Sequence, residues 1–286
     1  MADLISPPPI IAPAPAGATT AGPLTTGIAK AAQPAATTTI HTSAEGLQTA
    51  WDKVTVDGGQ LPVYVAKPQG PGPFPVVLVV QEIFGVHEHI ADVARRLAHQ
   101  GYLAIAPELY FRLGDPQKAA DFDTLRRDFV TKTADAQVLS DLDATVAWAA
   151  THSGDGERLA LTGFCWGGRI AWLYAAHQPK LKASVAWYGR LTGDKTPLQP
   201  TYPLDVASHL QAPVLGLYGG QDQGIPLATI EAQRAALKAA GSPSQIVVYP
   251  EAPHAFYADY RASYRAEAAA DGWQRLLAWF AKNGVK

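Results

Sequence analysis

From Trp51 onward, short apolar runs rich in β-branched residues alternate with longer stretches in which apolar positions recur every three or four residues. The short runs predict strands over 61–66, 76–80, 103–106, 159–162, 183–188, 214–218 and 245–249. The stretches between them predict helices over about 90–100, 134–151, 167–177, 227–240 and 262–282, with Gly101 and Gly241 as natural C-terminal stops. The run 76–80, Val-Val-Leu-Val-Val, is apolar on both faces, which suits a sheet covered by helices on each side. Alternation of strand and helix then predicts an α/β class with a mainly parallel central sheet and right-handed crossovers.

The first 45 residues break this pattern. Seven prolines fall between Pro7 and Pro34 amid Ala and Thr, and the only formal charges before Glu45 are Asp3 and Lys30. Such a stretch cannot bury enough apolar surface to offset its ordering entropy. Residues 1–45 are therefore expected to form a mostly irregular arm ahead of a single α/β domain over 46–286. A secretory signal would need a basic segment and then an unbroken apolar core, whereas this start carries Asp3 and prolines around Ile10 and Ile11. A cytoplasmic location is the expectation.

Composition narrows the function. The chain has 286 residues, 48% of them apolar, and a mean hydropathy of -0.02, so it can bury a substantial core and is not disordered wholesale. Its 23 basic and 25 acidic side chains leave a net charge of -2 with no long basic run, which argues against nucleic acid or an anionic membrane as partner. No apolar run approaches the ~20 residues of a membrane-spanning helix. One cysteine, Cys165, excludes an intrachain disulfide and a four-thiolate zinc site.

That single sulfur sits in the sharpest local motif. Residues 159–169, Leu-Ala-Leu-Thr-Gly-Phe-Cys-Trp-Gly-Gly-Arg, pass from an apolar strand through Gly-x-Cys-x-Gly into a helix-compatible segment. This is a nucleophile-elbow pattern with sulfur in place of the usual serine oxygen. Cys165 would sit at a helix N-terminus, where free amides and the helix dipole favour a thiolate. The alternative is a buried cysteine acting as a small hydrophobe.

In an α/β-hydrolase the acid and the histidine follow the nucleophile in that order, each on a loop after a strand. Asp222 lies in Gly-Gly-Gln-Asp-Gln-Gly after the run 214–218, and His254 lies in Pro-Glu-Ala-Pro-His after 245–249. Alone, Asp222 serves equally as a turn former or helix cap, and His254 as a structural residue. The ordered set, 57 and then 32 residues apart, points to a triad in which Cys165 attacks an acyl carbon, His254 moves the proton and Asp222 orients the imidazole. The elbow offers the Trp166 amide to the oxyanion, and the loop after the run 76–80 offers the Ile83 amide as a second donor.

Glu82 ends a buried strand, where a carboxylate needs a partner. It is either a salt-bridged or capping residue, or it stands beside Cys165 and raises the thiol pKa. His87-Glu88-His89 lacks metal-site spacing and reads as a solvated helix start. Neither a phosphate loop nor a dinucleotide fingerprint occurs, so the chemistry needs no cofactor and no metal.

Four segments together carry a resemblance: Gln-Glu-Ile-Phe-Gly at 81–85, Ala-Pro-Glu-Leu-Tyr-Phe-Arg at 106–112, Gly-Phe-Cys-Trp-Gly-Gly at 163–168 and Pro-His-Ala-Phe at 253–256. Over about residues 52–282 the chain resembles the dienelactone hydrolase family, also called carboxymethylenebutenolidases. The resemblance implies an α/β-hydrolase fold, a Cys165, Asp222, His254 triad, oxyanion amides at Ile83 and Trp166, and a Glu82 that pairs with the resting thiol until substrate redirects it. The family's named reaction opens a dienelactone ring to maleylacetate in chloroaromatic breakdown, with arginines holding the substrate carboxylate. Arg112 matches one of these. The other position, four residues after His254, holds Ala258, and Arg261 is the nearest arginine. The implied function is cysteine-dependent hydrolysis of a small carboxylate-bearing lactone or ester through an acyl-enzyme. A broad esterase or thioesterase on the same triad is the competing enzymatic reading. A non-catalytic binding module is the third, and a complete triad argues against it.

Overall fold

Across residues 37–286, which the computed structural model describes, fifteen regular elements follow one another. They are β1 (Leu47–Val56), β2 (Gly59–Pro68), β3 (Phe74–Val80), α1 (Glu88–His99), β4 (Leu103–Pro107), α2 (Phe122–Asp128), α3 (Asp135–Ala150) and β5 (Gly154–Phe164). Then come α4 (Trp166–His177), β6 (Leu181–Trp187), α5 (Pro203–Val206), β7 (Val214–Gly219), α6 (Leu227–Ala239), β8 (Gln245–Tyr249) and α7 (Ala266–Lys282). The eight strands form one sheet in the order β1-β2-β4-β3-β5-β6-β7-β8, antiparallel through β1, β2 and β4 and parallel from β4 to β8. Helices cover it: α1 packs on β2 and β4, α4 on β5 and β6, and α7 on β6 and β7. The mainly parallel α/β sheet expected from the sequence is the one observed. Val76–Val80 and Leu103–Ala106 are almost wholly inaccessible, which is why both read as continuous apolar runs.

Parallel register positions the site. Val80 pairs with Gly163, Phe164 with Trp187, and Gly219 with Tyr249, so β3, β5, β6, β7 and β8 all end at one edge of the sheet. Loops leaving those ends carry Gln81–Val86, Cys165, Tyr188, Asp222 and His254. Ligands of open α/β sheets bind at this carboxyl edge.

Three features depart from the sequence expectation. β1 was not anticipated: it is an edge strand with only Val54 buried, so it has no apolar face to read. α2 and α5 are too short for a helical period to register. α7 begins at Ala266 rather than 262, because 255–264 is a chain of tight turns closed by Ala258 N–H to Ala255 O, Arg261 N–H to Ala258 O and Tyr264 N–H to Arg261 O.

The proline-rich stretch to Pro34 lies outside the described residues. Residues 37–45 form neither helix nor strand, yet they are tied down. The Thr38 hydroxyl donates to the Asp259 carbonyl at 2.7 Å, the Thr42 amide to Asp92 at 2.5 Å, and Arg95 Nε to the Thr42 carbonyl at 3.0 Å. Among the described residues, no helix is long and apolar enough to cross a membrane.

Candidate active site

Cys165 joins β5 to α4 at φ 55°, ψ −111°, a conformation that non-glycine residues avoid. Its amide donates to Trp187 O at 3.0 Å and its carbonyl accepts from the Arg169 amide at 3.2 Å, so both neighbours hold the strained residue. The turn closes only with glycines beside it. A Cβ on Gly163 would fall onto the carbonyl of Gly167, and one on Gly167 onto the carbonyls of Val80 and Gln81. Cys165 remains partly exposed.

Asp222 leaves β7 on a turn that its own side chain fastens, Oδ1 accepting from the Gly224 amide at 2.9 Å. Its Oδ2 lies 2.6 Å from His254 Nδ1, and Asp222 is buried while His254 is partly exposed on a cavity wall shared with Cys165. Burial alone would lower the His254 pKa. Charge and hydrogen bonding from Cys165 and Asp222 outweigh it and push the imidazole up to about 10. The Tyr188 ring meets His254 edge-on with centroids 5.2 Å apart, from a backbone also held at positive φ, 38°.

Ile83 and Trp166 line the same cavity. Trp166 opens α4, so its amide has no intrahelical acceptor. The loop bearing Ile83 is stitched to the turn after β4: the Leu109 amide donates to Gln81 Oε1 at 3.1 Å and the Val86 amide to Glu108 Oε2 at 2.7 Å. Gly85 has φ 77°, and a Cβ there would stand 2.7 and 2.9 Å from the Glu108 oxygens. Burial pushes the Glu108 carboxyl up to about 7 against the opposing pull of the Val86 and Tyr110 amides.

Glu82 is 1% exposed; its Oε2 is hydrogen-bonded to residues other than Cys165, and its buried Oε1 has no hydrogen-bond partner. Its Oε2 accepts from the Tyr260 hydroxyl at 2.6 Å and faces His87 Nε2 at 3.4 Å, rather than pairing with Cys165 as the resemblance implies. Burial raises its pKa, but His87, His89 and Tyr260 together hold it down to about 2. The expected solvated helix start at 87–89 is corrected: His87 and His89 are each 5% exposed. His87 is the extended N-cap residue of α1, which brings its ring over that of His89 at 6.1 Å, and His89 Nδ1 reaches Asp259 Oδ1 at 3.2 Å. Among the described residues no His, Cys, Asp and Glu cluster is arranged to hold a metal.

The two arginines expected to bind substrate stand outside the cavity. Arg112 forks onto Asp141 at 2.7 and 2.9 Å, also donates to the Asp57 carbonyl, and lies over the Phe111 ring at 4.3 Å. Arg261 lies over Phe84 at 5.9 Å, and Ala258 is fully buried. The arginines that do line the cavity are Arg126, Arg169 and Arg190. The cavity measures about 870 Å³ and extends from Cys165 and His254 to Phe122, Val130 and Tyr202.

Sequence reasoning missed Glu108, although it follows a buried strand just as Glu82 does and the same desolvation argument would have found it. Tyr260 and the Arg112–Asp141 pair carry no local signal, because their partners are distant in sequence.

A model of the dienelactone hydrolase family matches residues 61–284. The chain belongs to that family. A Yersinia pestis protein named "Putative carboxymethylenebutenolidase" is 64% identical over 229 residues, covering 80% of this chain and 86% of that protein. An Escherichia coli K12 protein of the same name is 57% identical over 261 residues, covering 91% and 96%. The crystal structure of a "Putative Dienelactone Hydrolase" from Klebsiella pneumoniae superposes with a TM-score of 0.81 at 59% identity, covering 82% of this chain and 99% of that one. At the level of fold alone, Pyrococcus horikoshii acylaminoacyl peptidase superposes at TM-score 0.66 and 15% identity, covering 84% of this chain and 42% of that one. This dienelactone hydrolase family member thus has an α/β-hydrolase fold and is an enzyme of a hydrolase family.

Proposed function

We propose that the protein hydrolyses a carboxylic ester or lactone through an acyl-enzyme on Cys165. One observation carries the reading: a sulfur on a strained strand-to-helix turn shares a cavity wall with a histidine whose far nitrogen lies 2.6 Å from a buried aspartate. The raised pKa of His254, about 10, supports an imidazolium able to donate a proton to the leaving group.

In acylation the Cys165 sulfur adds to the acyl carbon, and the oxyanion meets the Ile83 and Trp166 amides. The C–O bond to the leaving oxygen breaks as the His254 imidazolium protonates that oxygen. In a lactone the oxygen stays tethered as a hydroxyl of the acyl group. Neutral His254 then takes a proton from water, the hydroxide adds to the thioester, and the thiolate leaves. Asp222 keeps Nδ1 protonated and stabilises the cation. Glu82 acts as a fixed anion behind the site, held by Tyr260 and His87.

The test is an ester and lactone panel with wild type, Cys165→Ala and His254→Ala. Each variant should lose about 10³-fold or more in kcat/KM. Undiminished hydrolysis by Cys165→Ala would end this mechanism.

A further inference from the structure

Substrate recognition has to come from somewhere other than Arg112 and position 258, since one is committed to Asp141 and the other is alanine. The remaining candidate surface is the outer wall of the cavity, made by residues 121–131 and 190–202. Two ties show that it is preformed. Gln199 Nε2 donates to the Val130 and Thr133 carbonyls at 2.6 and 3.2 Å, and Arg169 forks onto Asp135 at 2.7 Å while lying over the Tyr202 ring at 4.6 Å. Arg169 belongs to the helix that Cys165 opens, so wall and nucleophile are one rigid unit.

Phe122, Val130 and the Tyr202 ring give this wall its apolar surface, set among polar side chains and charges of both signs. Phe122 is 50% exposed, unusual for a large aromatic, and its ring meets Phe84 edge-on at 6.0 Å, beside the Ile83 oxyanion loop. Arg126 and Arg190 make no ion pair among the described residues, and the same lining carries Asp123 and Asp194, so its unpaired formal charges are equal in number and opposite in sign. His254 must face the leaving oxygen, which gives the adjoining 221–225 wall to the leaving group and the Phe122 wall to the acyl part. About 870 Å³ lies in the upper part of the ~300–1,000 Å³ range of small-molecule sites.

Resting on the acyl-enzyme reading above, we propose that Phe122 and the wall around it form an acyl-binding subsite for bulky, uncharged apolar acyl groups, so that the substrates are medium-chain or aryl esters rather than small anionic lactones. Phe122 is its specificity-determining residue.

The experiment compares p-nitrophenyl acetate, butyrate and hexanoate with p-nitrophenyl hydrogen adipate, whose six-carbon acyl group ends in a carboxylate. Each buried methylene is worth about fourfold in binding, so kcat/KM for hexanoate should exceed that for acetate at least tenfold. The hexanoate-to-acetate ratio should fall at least fivefold in Phe122→Ala and recover in part in Phe122→Leu. Hexanoate should be hydrolysed at least as well as hydrogen adipate. A flat chain-length profile, a ratio unchanged by Phe122→Ala, or a preference for hydrogen adipate would overturn the subsite. Parallel assays with Cys165→Ala separate the two ideas, because activity surviving that change defeats the acyl-enzyme reading itself, whatever the chain-length profile.

Discussion

The Nδ1 atom of His254 stands 2.6 Å from Oδ2 of Asp222, and the second Asp222 oxygen is already occupied by the Gly224 amide. The carboxylate is therefore fixed before it meets the ring, and it sets which imidazole nitrogen carries the proton toward the thiol. Asp222→Asn should keep the fold and lower kcat by about 10³- to 10⁴-fold, the loss expected when a triad histidine is left in the wrong tautomer. Kinetics beside a thermal melt check both halves.

His254 also predicts a pH effect on stability. Its pKa is raised in the folded protein from the ordinary 6.5 to about 10. The stabilisation is therefore complete below pH 6.5 and is lost as pH rises through about 10. Urea unfolding of wild type and His254→Gln should show a stability difference at pH 6 that shrinks by pH 10. A constant difference would mean that the ring is not held as a cation.

Tyr260 is predicted to support Glu82. Removing the hydroxyl in Tyr260→Phe takes away a hydrogen bond to a buried charged group, at a cost of about 1.5–3 kcal/mol in urea at pH 7. The Glu82 pKa is depressed to about 2, so its contribution is present above about pH 4.5 and fades as pH falls toward 2. Acid unfolding of Tyr260→Phe should accordingly begin at higher pH than in wild type.

The elbow and the order of acid and histidine were legible because chain connectivity enforces them: Cys165 and Asp222 follow buried parallel strands whose apolar runs are unmistakable, Leu159–Leu161 and Val214–Tyr218, and His254 follows the half-buried run Ile246–Tyr249. What stayed hidden depends on long-range pairing. Arg112, in the turn after β4, looks free until Asp141 of α3 is seen to claim both its terminal nitrogens. His87 and His89 read as surface residues because a helix start is usually wet, whereas here Tyr260 and Asp259 from the far end of the chain cover them. β1 has too little buried surface to leave a pattern.

Gly85 should prove as necessary as the elbow glycines. Gly85→Ala places a methyl against the Glu108 carboxylate and strains a residue at φ 77°. Loss of alignment of the Ile83 amide should lower kcat, by up to the roughly 10²- to 10³-fold that removing one oxyanion donor costs, with a smaller change in KM. Steady-state kinetics at pH 8 read the split.

Arg112 is predicted to be structural. Arg112→Ala strands the nearly buried Asp141 carboxylate, and stability should fall by about 3 kcal/mol. KM for neutral esters should stay within twofold of wild type. A rise of tenfold or more would return Arg112 to the substrate.

The most direct test of the mechanism is rapid-quench mass spectrometry during turnover of a slowly hydrolysed ester. An adduct with the mass of the acyl group, carried on the peptide containing Cys165 and decaying at the rate of product release, is the predicted result. Full turnover with that peptide never acylated would contradict it.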